Sequence, residues 1–373
     1  MRYTEVVART LINNIPHSRF SVVKGLSCRS SMNTAFGCET SCSYCYIRYL
    51  SRWKGMEAND IFRNVSIRIN APELLDKELS RRKAREWIWI GSASDPYQAF
   101  EERYGLMRGC LQVLAKHRQP FEIITKSRLV ARDADLLAAC GGLGVVSMSL
   151  FGSLNGKWSH IELKADGVEE RIEALAHLNV AGIPTVALLL PILPGWCDDP
   201  GEIREVLQAV RRAGTTRVYA GVLRLSLSTW GGMRRMMSPR IAHLRERYQN
   251  EYFGSGSAVS AGARVPSRAW RRQLMGVVSS IAREEGFEQF SCEENFYDLW
   301  FGPQDEHGDY RYAVPHDFYL ERLRREAPLD PDAAVGVARR FFHTPSYLAS
   351  VEKNLSLLNR LADPARVGAD GDD

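Results

Sequence analysis

Six short apolar runs alternate with longer amphipathic stretches through the middle of the chain, and this alternation leaves few architectures open to it. The runs are Met32 to Phe36, Trp87 to Ile90, Phe121 to Thr125, Val145 to Leu150, Thr185 to Leu190 and Val218 to Leu223. Strands apolar on both sides are covered on both faces, and a helix-length segment between them supplies the crossover that parallel pairing requires. Helix-like segments at Tyr104 to Lys116, Ala131 to Ala139, Val168 to Asn179 and Gly201 to Ala213 meet that need. In the third, Ile172, Leu175, Ala176 and Leu178 recur at helical spacing, opposite a polar face of Glu169, Arg171 and Glu173. Gly182 and Pro184 end that helix and lead into the next strand. Val65 to Asn70, followed by Ala71 to Leu79, reads as an inserted strand and helix ahead of the second core strand.

Six parallel units predict an α/β fold, a partial (β/α)6 TIM-like barrel with a mainly helical C-terminal extension. Closure takes eight units, and the alternation stops after Leu225. The expected organisation is an N-terminal extension (1–30), the barrel (31–225), a substrate-covering region (226–360) and a disordered tail (361–373). Within the third part, Gly254 to Ser267 reads as a mobile loop or lid, and Arg268 to Glu285 and Ala334 to Leu361 read as helices. In parallel α/β folds ligands gather at the carboxyl ends of strands, so polar residues just past each strand carry the functional information.

The chain has 373 residues, 45% of them hydrophobic, enough to bury a large core. Its opening residues lack the unbroken apolar run of a signal peptide. The most apolar stretch, Val186 to Trp196, is too short to span a bilayer and contains Pro191 and Pro194, so no membrane partner is expected. Eight cysteines without pairing regularity point to reduced thiols and a cytoplasmic location. A net charge of +5 permits a nucleic-acid partner without demanding one.

Just past the first strand, Gly37 precedes Cys38, Cys42 and Cys45, and Tyr46 follows them. Three thiolates in so short a loop can cap three irons of a cubane and leave the fourth iron open to a small molecule. Structural zinc asks for four closed ligands, and no matching Cys or His pair follows at the customary distance. A disulfide framework asks for paired cysteines in a small secreted domain. Zinc binding, fortuitous cysteines and a non-enzymatic iron-sulfur or metal-binding protein remain open on the cysteines alone. A second cluster is not expected, because Cys292 stands alone after Cys197.

The cysteine array joins three further motifs: APELLDKELS from Ala71, IGSASDPYQAFEERYGLMRGCLQVL from Ile90 and IITKSRLVARDADLL from Ile123. Together, over Asn33 to Leu225, they resemble the radical SAM superfamily, and within it the spore photoproduct lyase-like branch. The resemblance implies an enzyme with a [4Fe-4S] cluster on Cys38, Cys42 and Cys45. Such a cluster cleaves S-adenosylmethionine reductively to a 5'-deoxyadenosyl radical, which takes a hydrogen from the substrate. A reductant such as flavodoxin or ferredoxin is implied as well.

By the same resemblance Ser94 and Asp95, with Glu101 nearby, hold the methionine amino group, and a carboxylate beside a hydroxyl suits an ammonium. Lys126 and Ser127 are matched to the methionine carboxylate, Ser149 to a ribose or carboxylate contact and Tyr44 to the adenine. The segment Pro191 to Gly195, with Leu193 at its centre, lines the adenine, and Arg224 is placed to reach the cofactor carboxylate or an anionic substrate. Each has a plainer reading: Ser94-Asp95-Pro96 is also a helix-capping turn, Lys126 a solvated lysine, and Ser147 and Ser149 the outward face of a strand.

Two segments depart from the family. Asn33-Thr34-Ala35-Phe36-Gly37-Cys38 stands where relatives read Asn-Pro-Tyr-Arg-Gly-Cys, and Pro194-Gly195-Trp196-Cys197-Asp198 where they read Pro-Gly-Leu-Asn-Asp. Both border the site, so a different substrate is expected. Cys197 is a candidate hydrogen-atom donor, since an S–H bond is weak, with packing as the alternative. A small-molecule or peptide substrate is favoured. A nucleic-acid lesion is the alternative, resting on Arg234, Arg235, Arg240, Arg268, Arg271 and Arg272 with Trp230 and Trp270 to stack on bases.

Overall fold

In the computed structural model, which describes residues 1–14, 30–48, 50, 55, 57, 59–82, 87–150, 152–156, 159–236, 242–254, 257–260 and 263–292, each of the six apolar runs supplies a strand. The strands are β1 (Arg2–Val6), β2 (Ile12–Asn14), β3 (Ser30–Met32), β4 (Ala35–Phe36), β5 (Asn64–Arg68), β6 (Ile88–Ile90), β7 (Phe121–Thr125), β8 (Gly144–Ser149), β9 (Thr185–Ile192), β10 (Arg217–Val222), β11 (Ala258–Ser260), β12 (Ala263–Val265) and β13 (Gln289–Cys292). The main sheet runs β13-β10-β9-β8-β7-β6-β3-β2. From β3 to β10 each strand lies parallel to its predecessor in the sheet, as βα units require.

Four features differ from expectation. The first apolar run is split. β3 ends at Met32, and β4 leaves the main sheet to pair antiparallel with β5, the inserted strand, which pairs parallel with β1. Asn33 marks the divide: its side chain accepts from Ala93 N–H at 3.0 Å, and its carbonyl accepts from Arg68 at 3.0 Å. The parallel series also does not end at β10. The helix Arg268–Glu284 returns the chain to β13, a seventh parallel strand on β10. A four-residue strand, with Phe290 in the core, is too short for periodicity to register. Among the described residues β2 and β13 remain the two ends of the sheet, so the structure shows a parallel α/β sheet without barrel closure.

Third, the Gly254 to Ser267 segment contains an antiparallel hairpin of β11 and β12, tied to the strand end by backbone bonds between Leu225 and Arg264. Fourth, the expected Tyr104 to Lys116 helix begins at Leu106, just past Gly105 with φ of +59°, and a separate short helix, Phe100–Tyr104, precedes it. The expected helix Ala334 to Leu361 and the tail lie outside the described residues, as do 15–29 of the N-terminal extension and 226–360 beyond 292.

Alternation along the strands sorts the two faces of the main sheet. Ile88 and Ile90, Phe121 and Ile123, Val146 and Met148, Ala187 and Leu189, and Val218 and Ala220 pack with helix residues such as Leu111, Leu175 and Leu207 in one core. In the helix Pro200–Arg212, Ile203, Val206, Leu207 and Val210 fall at helical spacing and are buried. Asp199 caps that helix by accepting from Glu202 N–H at 2.9 Å, and Pro200 occupies a first-turn position that needs no N–H donor. Burial of each such side chain contributes roughly 1.5–3 kcal/mol.

Gly91, at the exit of β6, has φ of +93°, and a Cβ there would lie 2.3 Å from the Ile124 carbonyl oxygen. Gly91→Ala is expected to destabilise the fold by about 1–3 kcal/mol, read as a lowered urea midpoint with unchanged slope.

Candidate functional site

The cysteine loop leaves β4 through Gly37, whose φ of +98° and whose approach to the Asn64 carbonyl, 2.4 Å from where a Cβ would stand, admit only glycine. Cys38 N–H then donates to the Ile61 carbonyl at 3.0 Å, and Cys45 N–H to the Cys42 carbonyl at 3.1 Å. The loop is pinned from the far side by an irregular segment after β8. Ser43 N–H donates to the Ile161 carbonyl, Lys164 N–H to the Thr40 carbonyl, and Cys42 and Glu162 form an antiparallel bridge. Arg48 stacks over Phe62 at 4.4 Å and donates to the Cys42 carbonyl.

Cys38, Cys42 and Cys45 are free thiols. Burial pushes Cys38 up to about 12, with Asp95 and Cys45 adding to the effect. Burial, then Glu162, push Cys42 well above the ordinary thiol range, and burial raises Cys45. Three buried thiols that oppose one another's ionisation fit a polycationic centre that displaces their protons, and three-thiolate ligation of an iron-sulfur cubane is such a case. Among the described residues no three Cys, His, Asp or Glu groups gather around a single-ion position. Thiolates that each cap a different iron do not need to.

The end of β6 carries the Ser94-Asp95 pair. Ser94 Oγ donates to the Gly37 carbonyl at 2.6 Å and accepts from Gln98 Nε2 at 2.8 Å, while Gln98 Oε1 takes the Glu39 N–H at 2.8 Å. The strand end therefore clamps the cysteine loop. Asp95 N–H points at Cys38 Sγ, 3.5 Å away. The Asp95 carboxylate accepts from Tyr97 N–H at 2.9 Å, Thr125 Oγ1 at 2.7 Å and Lys126 N–H at 2.8 Å, joining the ends of β6 and β7. Burial raises its pKa against these three bonds.

Lys126, at the end of β7, is largely buried. Its Nζ stands 3.9 Å from Glu162 Oε1 and 6.0 Å from the centre of the Tyr44 ring. Desolvation pulls its pKa down, but Glu162 and Cys42 outweigh that, so the ammonium stays charged. Ser127 is otherwise engaged: its hydroxyl donates to Asp166 at 3.1 Å and caps the turn at Leu129 N–H. Glu162 was invisible in the sequence, where no periodicity marks it. Its Oε1 accepts from the Tyr44 hydroxyl and lies 4.0 Å from Cys42 Sγ, and its Oε2 pairs with Arg171 at 2.5 Å. Arg171, expected on a polar helix face, is 2% exposed. It donates to the Ser149 and Asp166 carbonyls at 2.8 Å each, which turns it inward against the helix pattern.

The remaining candidates are more dispersed. Ser149 ends β8 and is buried. Glu101 sits at a helix junction, where its carboxylate binds Met107 N–H and Arg132, and burial lifts its pKa to about 6. No bond joins it to Ser94, Asp95 or the cysteines among the described residues. Leu193 is buried in the turn after β9, where Cys197 Sγ accepts its N–H at 3.2 Å. Cys197 belongs to the core, with burial pushing its thiol up to about 12. Arg224 is half-buried just past β10. Trp230, expected to stack on bases, is buried with its ring stacked on Tyr248 at 5.8 Å. Trp270 packs partly buried against the core.

Residues 32–208 match the family model of the Radical SAM superfamily. The chain is 27% identical over 254 residues to an uncharacterized protein of Mycobacterium tuberculosis, covering 67% of this chain and 73% of that one. It is 31% identical over 169 residues to an uncharacterized protein of Methanocaldococcus jannaschii, covering 45% of this chain and 61% of that one. Its fold superimposes on spore photoproduct lyase complexed with dinucleoside spore photoproduct with a TM-score of 0.56 at 14% identity, over 78% of this chain and 81% of that one. The match over residues 32–208, together with the shared sheet and its cysteine loop, identifies this part of the chain as a radical SAM domain. A [4Fe-4S] cluster and S-adenosylmethionine are the cofactors of that family.

On the sheet face away from the helical core, Glu122 is buried, accepts from Ser147 Oγ at 2.5 Å and is pushed up to about 7 by burial. A carboxyl raised in the fold holds its proton where the unfolded chain has lost it, so stability declines as pH rises from about 4.5 towards 7. Glu122→Gln removes that decline. Relative to wild type it is expected to be stabilised at pH 8 by up to about 3 kcal/mol, and to differ little at pH 5, as read by urea unfolding.

Proposed function

We propose that this radical SAM enzyme takes hydrogen from a small-molecule or peptide substrate held at the carboxyl ends of the parallel strands. The observation that carries this reading is the meeting of the Cys38–Cys45 loop with Asp95 from β6 and the largely buried cation of Lys126 from β7. When bound, the cluster on Cys38, Cys42 and Cys45 and S-adenosylmethionine together supply the hydrogen-abstracting radical. The chain's own residues hold and orient. Lys126 offers its ammonium to the methionine carboxylate, with Ser149 at the end of the adjacent β8 and Arg224 past β10, further along the sheet. Asp95 already accepts three hydrogen bonds of the roughly four a carboxylate can take, which leaves room for one ammonium donor beside it. Tyr44 and the turn containing Leu193 form the adenine side.

Ser94 enters this proposal chiefly as the clamp on Gly37, and Ser127 as a cap, because their hydroxyl protons are committed. Glu101 supports the helix junction. The Cys197 thiol, turned into the core, suits packing better than hydrogen donation. Electrons come from a reductant of the flavodoxin or ferredoxin kind. Six free thiols among the described residues agree with a reducing, cytoplasmic setting, and no described helix is long and apolar enough to cross a membrane.

The second reading is a DNA photolesion, prompted by the dinucleoside bound to the lyase of similar fold. The burial of Trp230 removes one of its two stacking aromatics. Salt-dependent binding to DNA would favour it over the small substrate.

Anaerobic reconstitution with iron and sulfide is expected to give a brown protein that, with dithionite, converts S-adenosylmethionine to 5'-deoxyadenosine. The C38A/C42A/C45A variant is expected to bind no cluster and form no product. An intact protein that takes up no iron would overturn the reading. Deuterium transfer from labelled candidate substrates into 5'-deoxyadenosine then identifies the substrate class.

A further inference from the structure

Three charged side chains meet behind the cysteine loop, and their distances are unequal. Glu162 Oε2 lies 2.5 Å from Arg171, in hydrogen-bonding contact, whereas Glu162 Oε1 is 3.9 Å from Lys126 Nζ, beyond it. Arg171 is held in place by three acceptors on different parts of its guanidinium, namely Glu162 and the carbonyls of Ser149 and Asp166. A buried carboxylate with no tight partner would capture the nearest cation, because an unpaired buried charge costs several kcal/mol. Lys126, on a flexible four-carbon stem, is that cation, and only about an ångström of movement separates it from a direct ion pair.

We propose that Arg171 is a positioning residue that occupies Glu162, so that Lys126 keeps its charge available for the carboxylate of S-adenosylmethionine. This inference rests on the functional reading above. Counting one negative and two positive side chains, the group carries a net charge of +1 in the folded protein, and that surplus resides on Lys126. Among the described residues no ion pair joins the Lys126 ammonium to the neighbouring Asp95, whose carboxylate accepts from Thr125, Tyr97 and the Lys126 backbone N–H. Glu162 in turn accepts from the Tyr44 hydroxyl and so fixes the ring that lies 6.0 Å from the Lys126 ammonium.

The test is a double-mutant cycle read by equilibrium binding of S-adenosylmethionine to the reconstituted protein and by the electron paramagnetic resonance change that binding produces in the reduced cluster. Arg171→Met leaves Glu162 to capture Lys126, and binding is expected to weaken by roughly tenfold or more. Arg171→Lys restores most of the affinity. Glu162→Gln alone keeps the acceptor for Tyr44 but removes both the competing charge and the carboxylate that favours a charged Lys126, so it and its double variant are read at about pH 6, where the ammonium persists, and it binds within about twofold of wild type. Glu162→Gln added to Arg171→Met recovers affinity, because nothing then competes for Lys126.

Losses that add in the double variant, or a tenfold loss in Glu162→Gln alone, would overturn the inference in favour of a purely structural Arg171. If Arg171→Met fails to fold, the Glu162→Gln measurement decides by itself. Wild-type protein that loads no cluster or binds no S-adenosylmethionine sinks the functional reading itself. Wild-type binding with unaffected variants sinks only the role of Arg171.

Discussion

The antiparallel bridge between Cys42 and Glu162 is the contact on which the rest of the site depends. It brings a segment from beyond β8 against a loop that begins before β5, and with it come the backbone bonds from Ser43 to Ile161 and from Lys164 to Thr40. A loop of three mutually repelling ligands has little reason to hold a shape by itself. Here the backbone is fixed on one side by this bridge and on the other by Ser94 and Gln98 gripping the Gly37 carbonyl. The buried ion pair of Glu162 and Arg171 is tolerable because each partner is hydrogen-bonded at several atoms.

Much of this was legible in the sequence, and the limits have physical causes. The six parallel strands showed because strands covered on both faces must be apolar throughout, and β7 matches its run end to end. The cysteine loop showed because metal chemistry constrains spacing directly. Lys126 and Asp95 showed because they stand at the ends of such strands. What failed to show was long-range partnership. Glu162 lies in an irregular segment, and Arg171 on a helix whose period placed it outward, yet a guanidinium can turn inward when carbonyls and a carboxylate wait there. Likewise Ser94 and Ser127 have the residue types of ligand contacts, but their hydroxyls serve the backbone instead.

The electrostatics of the site are asymmetric in a useful way. The thiols are held protonated by burial until a metal displaces their protons, while Lys126 is held charged chiefly by the Glu162 carboxylate. The same buried surroundings thus preserve a cation ready for an anionic group and keep the empty ligands neutral. Desolvation produces the neutrality of the thiols and opposes the charge on Lys126, which Glu162 sustains against it.

The seventh parallel strand has a consequence for how such a protein changes over time. Because β13 runs parallel to β10, its carboxyl end at Cys292 lies on the same rim as the ends of β6 and β7. That strand reaches the rim on a part of the chain separate from the cysteine loop, Lys126 and Arg171. Side chains at that edge of the rim can therefore vary without disturbing the residues proposed to hold the cluster and S-adenosylmethionine.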